Sequence, residues 1–195
     1  MVLESGTARD IMVVNAVRNA VGPQAKVLLD ANNGYNLNLT KQVLAETAEA
    51  HIHWIEEAFH EDPRLYKNLK DWIQKEGLQT LIADGEGSAS PNLLDWALDG
   101  LVDVSQYDIF GYGFMSWLKL GSQLDQWNVR SAPHHYGGYY GNFVSCHLAA
   151  GIQLFEFVEW DQASIFGIDD SAYTITDGFV NVPKTAGFGL KLDQK

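Results

Sequence analysis

Short apolar runs alternate along the chain with longer segments in which apolar residues recur at helical spacing. The apolar runs cover residues 27–32, 53–58, 80–86, 101–108, 129–134 and 152–160. The helical segments cover residues 8–21, 39–50, 63–76, 92–99, 114–127 and 142–151. Short apolar runs bounded by turn residues are typical of buried strands. The alternation of strands with helices predicts an α/β fold with a parallel sheet and right-handed crossovers.

One charged or titratable residue from each apolar run is a candidate for the site, and these six residues recur at nearly even spacing along the chain. These residues are Asp30, Glu56, Glu86, Asp108, His134 and Glu156. In a (β/α) TIM-type barrel the carboxyl ends of all strands meet on one face, and that face carries the active site. The pattern therefore predicts that side chains far apart in the sequence gather around one site.

The number of predicted strands is too small for a closed barrel. A closed barrel has eight strands and about 250 residues, whereas this 195-residue chain shows about six strand–helix units after a lone helix. We therefore expect an incomplete barrel, the C-terminal portion of a longer protein whose first strands are absent. Residues 1–195 are predicted to form this single portion, with a tail hairpin at about residues 173–182 around the Asp177-Gly178 turn.

The charge balance narrows the expected partners and location. The formal net charge is −12 and the sequence pI is about 4.7. The chain thus lacks the basic footprint that phosphate binding needs, and we expect neither nucleic acid nor a membrane as a partner. Cys146 is the only cysteine and cannot form an internal disulfide, which suits a reducing cytoplasm. The sequence shows no signal peptide and no membrane-spanning apolar segment, so we expect a cytoplasmic protein.

Three carboxylates end three consecutive predicted strands: Asp30, Glu56 and Glu86. If they converge without basic partners, they repel one another and raise each other's pKa. A hard divalent cation relieves this repulsion, and oxygen ligands suit Mg²⁺. The alternative for each residue is an ordinary helix cap or loop ion pair. Asn32 lies two residues after Asp30 on the same strand face and is a candidate substrate contact near the metal.

Asp108 and His134 end two neighbouring predicted strands. A carboxylate beside an imidazole holds it in one tautomer and makes it a better base, so His134 is the candidate general base. Glu156 has two alternatives. In an apolar setting it could stay protonated and donate a hydrogen bond to a developing oxyanion, or it could be a buried ion-pair partner. His135 should point away from His134 on a regular strand, but its position next to the base makes it a second candidate substrate contact.

Taken in order, these motifs resemble those of the enolase superfamily, in particular its mandelate racemase and muconate lactonizing enzyme subgroup. The motifs are VLLDANNGY, HWIEEAF, IADGE, VSQYDIFGYG, SAPHHYGG, LFEF and the C-terminal DGFVNVPKTAGFGLKLD. Within them HWIEEAF is similar to the family's W-I-E-E-P, with Ala58 in place of the usual Pro. The resemblance implies that Asp30, Glu56 and Glu86 bind Mg²⁺, that His134 and Asp108 form the catalytic dyad, and that Glu156 is the Glu of the last strand.

The resemblance also implies a reaction. A base removes the proton α to a substrate carboxylate in the presence of Mg²⁺, and an enediolate forms; this logic is a known example of Mg²⁺-assisted chemistry with a Lys or His base. We expect an enzyme, an acid-sugar dehydratase (a lyase) acting on a small carboxylate. The alternatives are a racemase or epimerase of the same superfamily, and a truncated, non-catalytic remnant that binds metal or oligomerises. The family's Lys-x-Lys strand and its N-terminal capping domain have no counterpart here.

An incomplete parallel sheet has two unpaired edges and leaves apolar surface uncovered. Exposed edges and large apolar patches promote association. We therefore expect the chain to form a homo-oligomer.

Overall fold

Helices and strands alternate along the chain in the computed structural model, which describes residues 3–136, 138–162 and 164–193. The helices are α1 (Leu3–Val21), α2 (Leu37–Glu46), α3 (Pro63–Lys75), α4 (Leu93–Leu98), α5 (Ile109–Tyr112), α6 (Phe114–Trp127) and α7 (Tyr140–Ala149). The strands are β1 (Val27–Asp30), β2 (Ile52–Glu56), β3 (Leu81–Asp84), β4 (Val104–Ser105), β5 (Arg130–Ser131), β6 (Ile168–Asp169), β7 (Thr174–Thr176), β8 (Phe179–Asn181) and β9 (Lys191–Leu192). The predicted α/β class is confirmed.

Strands β1 to β5 form one sheet in sequence order, β1-β2-β3-β4-β5. The pairs β1–β2 and β2–β3 are parallel, and Asp30, Glu56 and Ala83 stand in register across them. By compactness the chain divides within β4 into two units, residues 1–104 and residues 105–195. Each unit is described by itself below.

The predicted sixth strand is a single parallel bridge between Ser131 and Phe155 in the part of the chain that the structure describes. The physical reason lies in the backbone donors just before the bridge. The carboxylate of Asp125, near the end of α6, accepts the N–H groups of Gln153 at 3.0 Å and Leu154 at 2.8 Å. Two backbone N–H groups of this segment thus bond to a helix side chain, while Leu154 and Glu156 bond to Ser131 of β5.

The core of the first unit lies between its strands and the helices that pack on them. Fully buried apolar residues there include Val43, Leu44, Ile55, Leu69 and Ile82. Helix α2 begins after Asn36, whose side chain accepts the N–H groups of residues 38 and 39. The helix therefore begins two residues before the segment 39–50 that the sequence predicted. Helix α3 begins at Pro63 as expected, with Asp62 as its cap.

Apolar side chains remain exposed on the first unit. Helix α1 exposes Met12, Val13, Val17 and Val21, and β1 exposes Leu28. Residues 13, 17 and 21 are four apart, so they lie along one face of the helix. This is the kind of apolar surface that self-association requires, and the homo-oligomer stays a prediction.

The second unit packs α6 against α7. Trp117, Leu120, Leu124 and Leu148 are buried in it, together with Cys146. Burial raises the pKa of the Cys146 thiol to about 11, so the sole thiol is protonated at neutral pH and chemically quiet.

The predicted tail hairpin is confirmed in the second unit. Strands β7 and β8 pair antiparallel, with Thr176 opposite Phe179. Asp177 and Gly178 between them have φ angles of 52° and 79°, and a two-residue hairpin turn with both φ angles positive is the favoured type I′ geometry. A second antiparallel pair, β6 with β9, was not predicted. Among the described residues, no helix is both long and apolar enough to cross a membrane.

Candidate active site

Two of the three predicted metal ligands lie side by side in the first unit. Asp30 and Glu56 are the last residues of β1 and β2 and are aligned as register partners. The indole N–H of Trp54 donates to Glu56 Oε2 at 2.9 Å, and the N–H of Asn32 donates to Asp30 Oδ1 at 2.7 Å. Both carboxylates are thus oriented by neighbours two residues away in the sequence. Asn32 is exposed, and the structure shows the backbone hydrogen bond to Asp30 for it. A substrate contact by the Asn32 side chain stays a prediction.

Glu86 lies beyond the end of β3, three residues after Ala83, the register partner of Glu56. It lines a cavity of about 400 Å³ together with Glu57, Glu61 and neighbouring loop residues. Among the described residues, no group of three or more His, Cys, Asp or Glu side chains stands close enough to hold a metal ion. The structure therefore brings Asp30 and Glu56 together at neighbouring strand ends and leaves Glu86 outside a three-carboxylate cluster.

The donor set still fits a hard cation in its chemistry. Asp30, Glu56 and Glu86 follow the ends of three adjacent strands and offer carboxylate oxygens, the donors that Mg²⁺ prefers. Mg²⁺ also keeps several waters and needs few protein ligands to begin with. Binding would require the Glu86 side chain to turn toward the other two carboxylates.

A buried acid is the last residue of β3. Asp84 is 2% exposed and accepts hydrogen bonds from the Tyr66 hydroxyl at 2.6 Å and from the Gly85 N–H. Tyr66 belongs to α3, so the Asp84 carboxylate contacts the helix layer. Burial raises the pKa of Asp84 to about 7, against the opposing effect of the Tyr66 hydrogen bond. Strand alternation from Glu56 and Ala83 could have found this, because neighbouring residues face opposite sides.

Asp108 and His134, the predicted dyad residues, contact each other in the second unit. Asp108 precedes α5 and caps it: Oδ1 accepts the N–H groups of Phe110 at 2.8 Å and Gly111 at 2.9 Å. Its other oxygen, Oδ2, lies 3.2 Å from His134 Nδ1. The side chains are partly buried, 30% exposed for Asp108 and 18% for His134. The cap fixes the carboxylate, and a carboxylate beside Nδ1 favours the tautomer that carries its proton on Nδ1 and leaves Nε2 as the acceptor.

The backbone around His134 is held on both sides by the neighbouring strand and helix. The His134 N–H donates to the Gln106 carbonyl at 3.4 Å, and the His134 carbonyl accepts the Ile109 N–H at 2.9 Å. Both partners flank Asp108 in the sequence. The segment that carries the acid therefore also positions the base.

Glu156 is an ion-pair partner in this structure. Its carboxylate Oε1 pairs with Arg130 Nη1, and its side chain is 6% exposed. Its backbone N–H donates to the Ser131 carbonyl at 2.9 Å, which places it beside β5. A guanidinium partner favours the ionised carboxylate, so of the two alternatives the ion pair is the one observed, and the protonated donor in an apolar setting is not. The sequence could have suggested Arg130, which opens the neighbouring strand.

His135 is a core residue and does not reach a substrate in this conformation. It is fully buried, and neither ring nitrogen has a hydrogen-bond partner within the described part of the chain. Burial lowers its pKa, so the ring is neutral. The ring is enclosed in this conformation, and a substrate contact by His135 stays a prediction. A Cβ added at Gly141, near the start of α7, would overlap the His135 ring, which shows how closely the two pack.

We expect Gly141→Ala to destabilise the chain by about 1–3 kcal/mol, because an added methyl must displace the His135 ring or the helix in a packed interior. Urea unfolding followed by circular dichroism measures this. Gly111→Ala is the matched control, since a Cβ there meets only Asp108 Oδ1, at 3.9 Å; it should leave stability unchanged or raise it slightly. Equal unfolding midpoints for the two variants would contradict the packing argument.

This chain is similar to proteins of known structure or activity. A family model described as Enolase C-terminal domain-like matches residues 2–195. A galacturonate dehydratase from Geobacillus sp., solved with D-galacturonate and 5-keto-4-deoxy-D-galacturonate, is 52% identical, with a TM-score of 0.96 over 99% of this chain and 52% of that one.

Two further relatives extend the comparison. A mandelate racemase/muconate lactonizing protein from Geobacillus sp., solved with magnesium and tartrate, is also 52% identical, with a TM-score of 0.96 over 100% of this chain and 50% of that one. D-galactarolactone cycloisomerase of Agrobacterium fabrum is 25% identical over 209 residues, covering 97% of this chain and 52% of that protein. The chain thus spans about half the length of these relatives.

Proposed function

The chain belongs to the family of enolase C-terminal domain-like proteins, and we propose that it carries the proton-abstracting and metal-binding residues of a sugar-acid dehydratase. The observation that carries this proposal is the pairing of Asp108 Oδ2 with His134 Nδ1 at 3.2 Å. A histidine held in this way can take up a proton on Nε2 near neutral pH. That is the group needed to remove a proton α to a carboxylate.

The first unit would supply the anion-binding part. In this proposal Asp30, Glu56 and Glu86 hold a divalent cation, Mg²⁺ by the chemistry of the donors. The bound ion would supply the positive charge that an anionic substrate needs near so acidic a set of side chains. The register of Asp30 with Glu56 supports this assignment.

The galacturonate dehydratase from Geobacillus sp., which is 52% identical, suggests the substrate class, a hexuronate such as D-galacturonate. The carbon α to its carboxylate is C5, and the product 5-keto-4-deoxy-D-galacturonate has lost the oxygen at C4. In the proposed reaction His134 takes the C5 proton, the electron pair of that C–H bond forms a double bond to C4, and the C4 hydroxyl leaves with a proton as water. The resulting enol becomes the C5 ketone, with no net oxidation.

A complementation assay tests the proposal. The chain, with Mg²⁺ and D-galacturonate in deuterated buffer, is combined with the portion of the Geobacillus enzyme that it does not match, because the chain spans about half of that relative. Proton NMR follows the C5 hydrogen and the new C4 methylene. We expect C5 exchange and formation of the ketone, both lost on adding a chelator.

The same spectra separate the alternatives. Exchange with inversion at C5 and without the ketone would instead support a racemase or epimerase. A complex that binds Mg²⁺ but neither exchanges nor converts any member of a panel of sugar acids would contradict the proposed activity. That result would support the non-catalytic alternative.

A further inference from the structure

The peptide that follows His134 is held by a residue far along the chain. Glu159 Oε2 accepts the backbone N–H of His135 at 2.7 Å. Glu159 lies in the 152–160 segment, which the sequence predicted to be a strand. Among the described residues this segment forms a single bridge, at Phe155. Glu159 therefore need not follow the alternation of a regular strand, and its side chain reaches the loop that carries His134.

We propose that Glu159 is a positioning residue for the His134–Asp108 pair. This rests on the proposed function, in which His134 is the base. The hydrogen bond that the structure gives the Glu159 side chain is the one to the His135 N–H. It acts by fixing the His134–His135 peptide, and thereby the direction in which the His134 ring leaves the backbone.

Among the described residues, the partner of the His135 N–H is the Glu159 carboxylate. His135 is fully buried, and an unpaired buried donor is costly. The carbonyl of the same peptide accepts the Ile109 N–H at 2.9 Å, so Glu159 holds the N–H side of a peptide whose other side is also held. The N–H before it, that of His134, lies 3.4 Å from the Gln106 carbonyl. The charge-assisted bond from the Glu159 carboxylate is therefore the shorter of the two backbone N–H contacts that flank the His134 side chain.

Glu159 is itself fixed by a second pair of bonds. The side chain of Asn142, buried on α7, donates from Nδ2 to the Asp161 carbonyl at 2.8 Å and accepts the Asp161 N–H at 3.0 Å on Oδ1. This reciprocal pairing resembles one rung of a sheet and pins the chain two residues after Glu159. The support therefore runs from α7 through the 159–161 segment to the peptide after His134.

The test reads the histidine ring directly, on the chain as it exists. Nitrogen-15 spectra of the histidine-labelled chain report which ring nitrogen of His134 carries the proton, and amide exchange reports the His135 N–H. In the wild type we expect one His134 tautomer, protonated on Nδ1 toward Asp108. Glu159→Ala should give a mixture of tautomers and should speed exchange of the His135 amide by about tenfold or more, since its bond is lost.

Two further variants distinguish positioning from general loosening. Glu159→Gln keeps an acceptor oxygen and should restore the wild-type spectrum, and it serves if the alanine variant does not fold. Asp125→Ala is the matched control: it also removes a carboxylate that accepts backbone N–H groups, those of Gln153 and Leu154, in the same segment. It should leave the His134 ring nitrogens as in the wild type.

An unchanged His134 tautomer in folded Glu159→Ala would overturn the proposal, and so would an equal change in Asp125→Ala. If Glu159→Ala does not fold, a mixed tautomer in Glu159→Gln overturns it instead. In the complemented assembly, Glu159→Ala should lower turnover by about 10²-fold with little change in KM, the effect of a small misplacement of the reacting group. The spectra do not depend on turnover, so a silent assay with the expected spectra would count against the proposed function alone.

Discussion

His134→Asn is expected to lower exchange of the substrate α-proton by about 10²–10⁴-fold in the complemented assembly, the contribution of a positioned general base. Asparagine keeps a polar side chain of similar reach but has no basic nitrogen. Affinity for Mg²⁺ should stay within about threefold, because His134 is not among the proposed ligands. Asp108→Asn should also slow exchange, because its amide can donate to Nδ1 and so favour the wrong tautomer.

The control for this substitution is His51→Asn. His51 is exposed and lies just before β2 with a φ of 47°, a left-handed conformation that asparagine tolerates well. The same chemical change is thus made at a histidine without a proposed role, and the exchange rate should equal that of the wild type. If His134→Asn exchanges the proton at the wild-type rate, another residue is the base and the dyad is only a helix cap with an ion pair.

The sequence predicted that Asp108 and His134 lie close together, and they do, because the signal for this contact is local. Asp108 and His134 each end an apolar run, and runs of this kind place their last residues at one edge of a parallel sheet. What the sequence did not show is that Asp108 has two tasks, since its Oδ1 caps α5 while Oδ2 faces the imidazole. Capping depends on where a helix starts, and helix starts are the least certain part of a pattern of apolar residues.

Long-range side-chain bonds explain the errors at the other end of the second unit. Residues 152–160 have the alternating apolar residues of a strand, but Asp125 takes two of the backbone N–H groups at its start. Glu156 faces Arg130 and Glu159 faces the His135 N–H. Periodicity carries no information about such partners, because each depends on a residue more than 20 positions away.

Removal of one carboxylate from the metal set is the second large effect that we expect. Glu56→Gln should weaken Mg²⁺ binding by at least about 10²-fold in calorimetry, because loss of even an outer-shell partner of a metal ligand costs 10–100-fold. Glu56 is the central member: β2 pairs with both β1 and β3, and Glu56 is aligned with Asp30 on one side and Ala83 on the other. A neutral amide there removes one negative charge and leaves the side-chain volume unchanged.

Glu57→Gln is the matched control, since it makes the same change at the next residue. Glu57 lies past the end of β2 with a φ of 41° and lines the 400 Å³ cavity with Glu61 and Glu86. If the ion is held at the strand ends, Glu57→Gln should bind Mg²⁺ within about threefold of the wild type. If Glu57→Gln loses binding and Glu56→Gln keeps it, the ion lies in that cavity, and the assignment of Asp30 and Glu56 as ligands is wrong. Glu56 is the last residue of β2, and Glu57 follows it with a positive φ. The two variants therefore decide which of these consecutive glutamates belongs to the metal site.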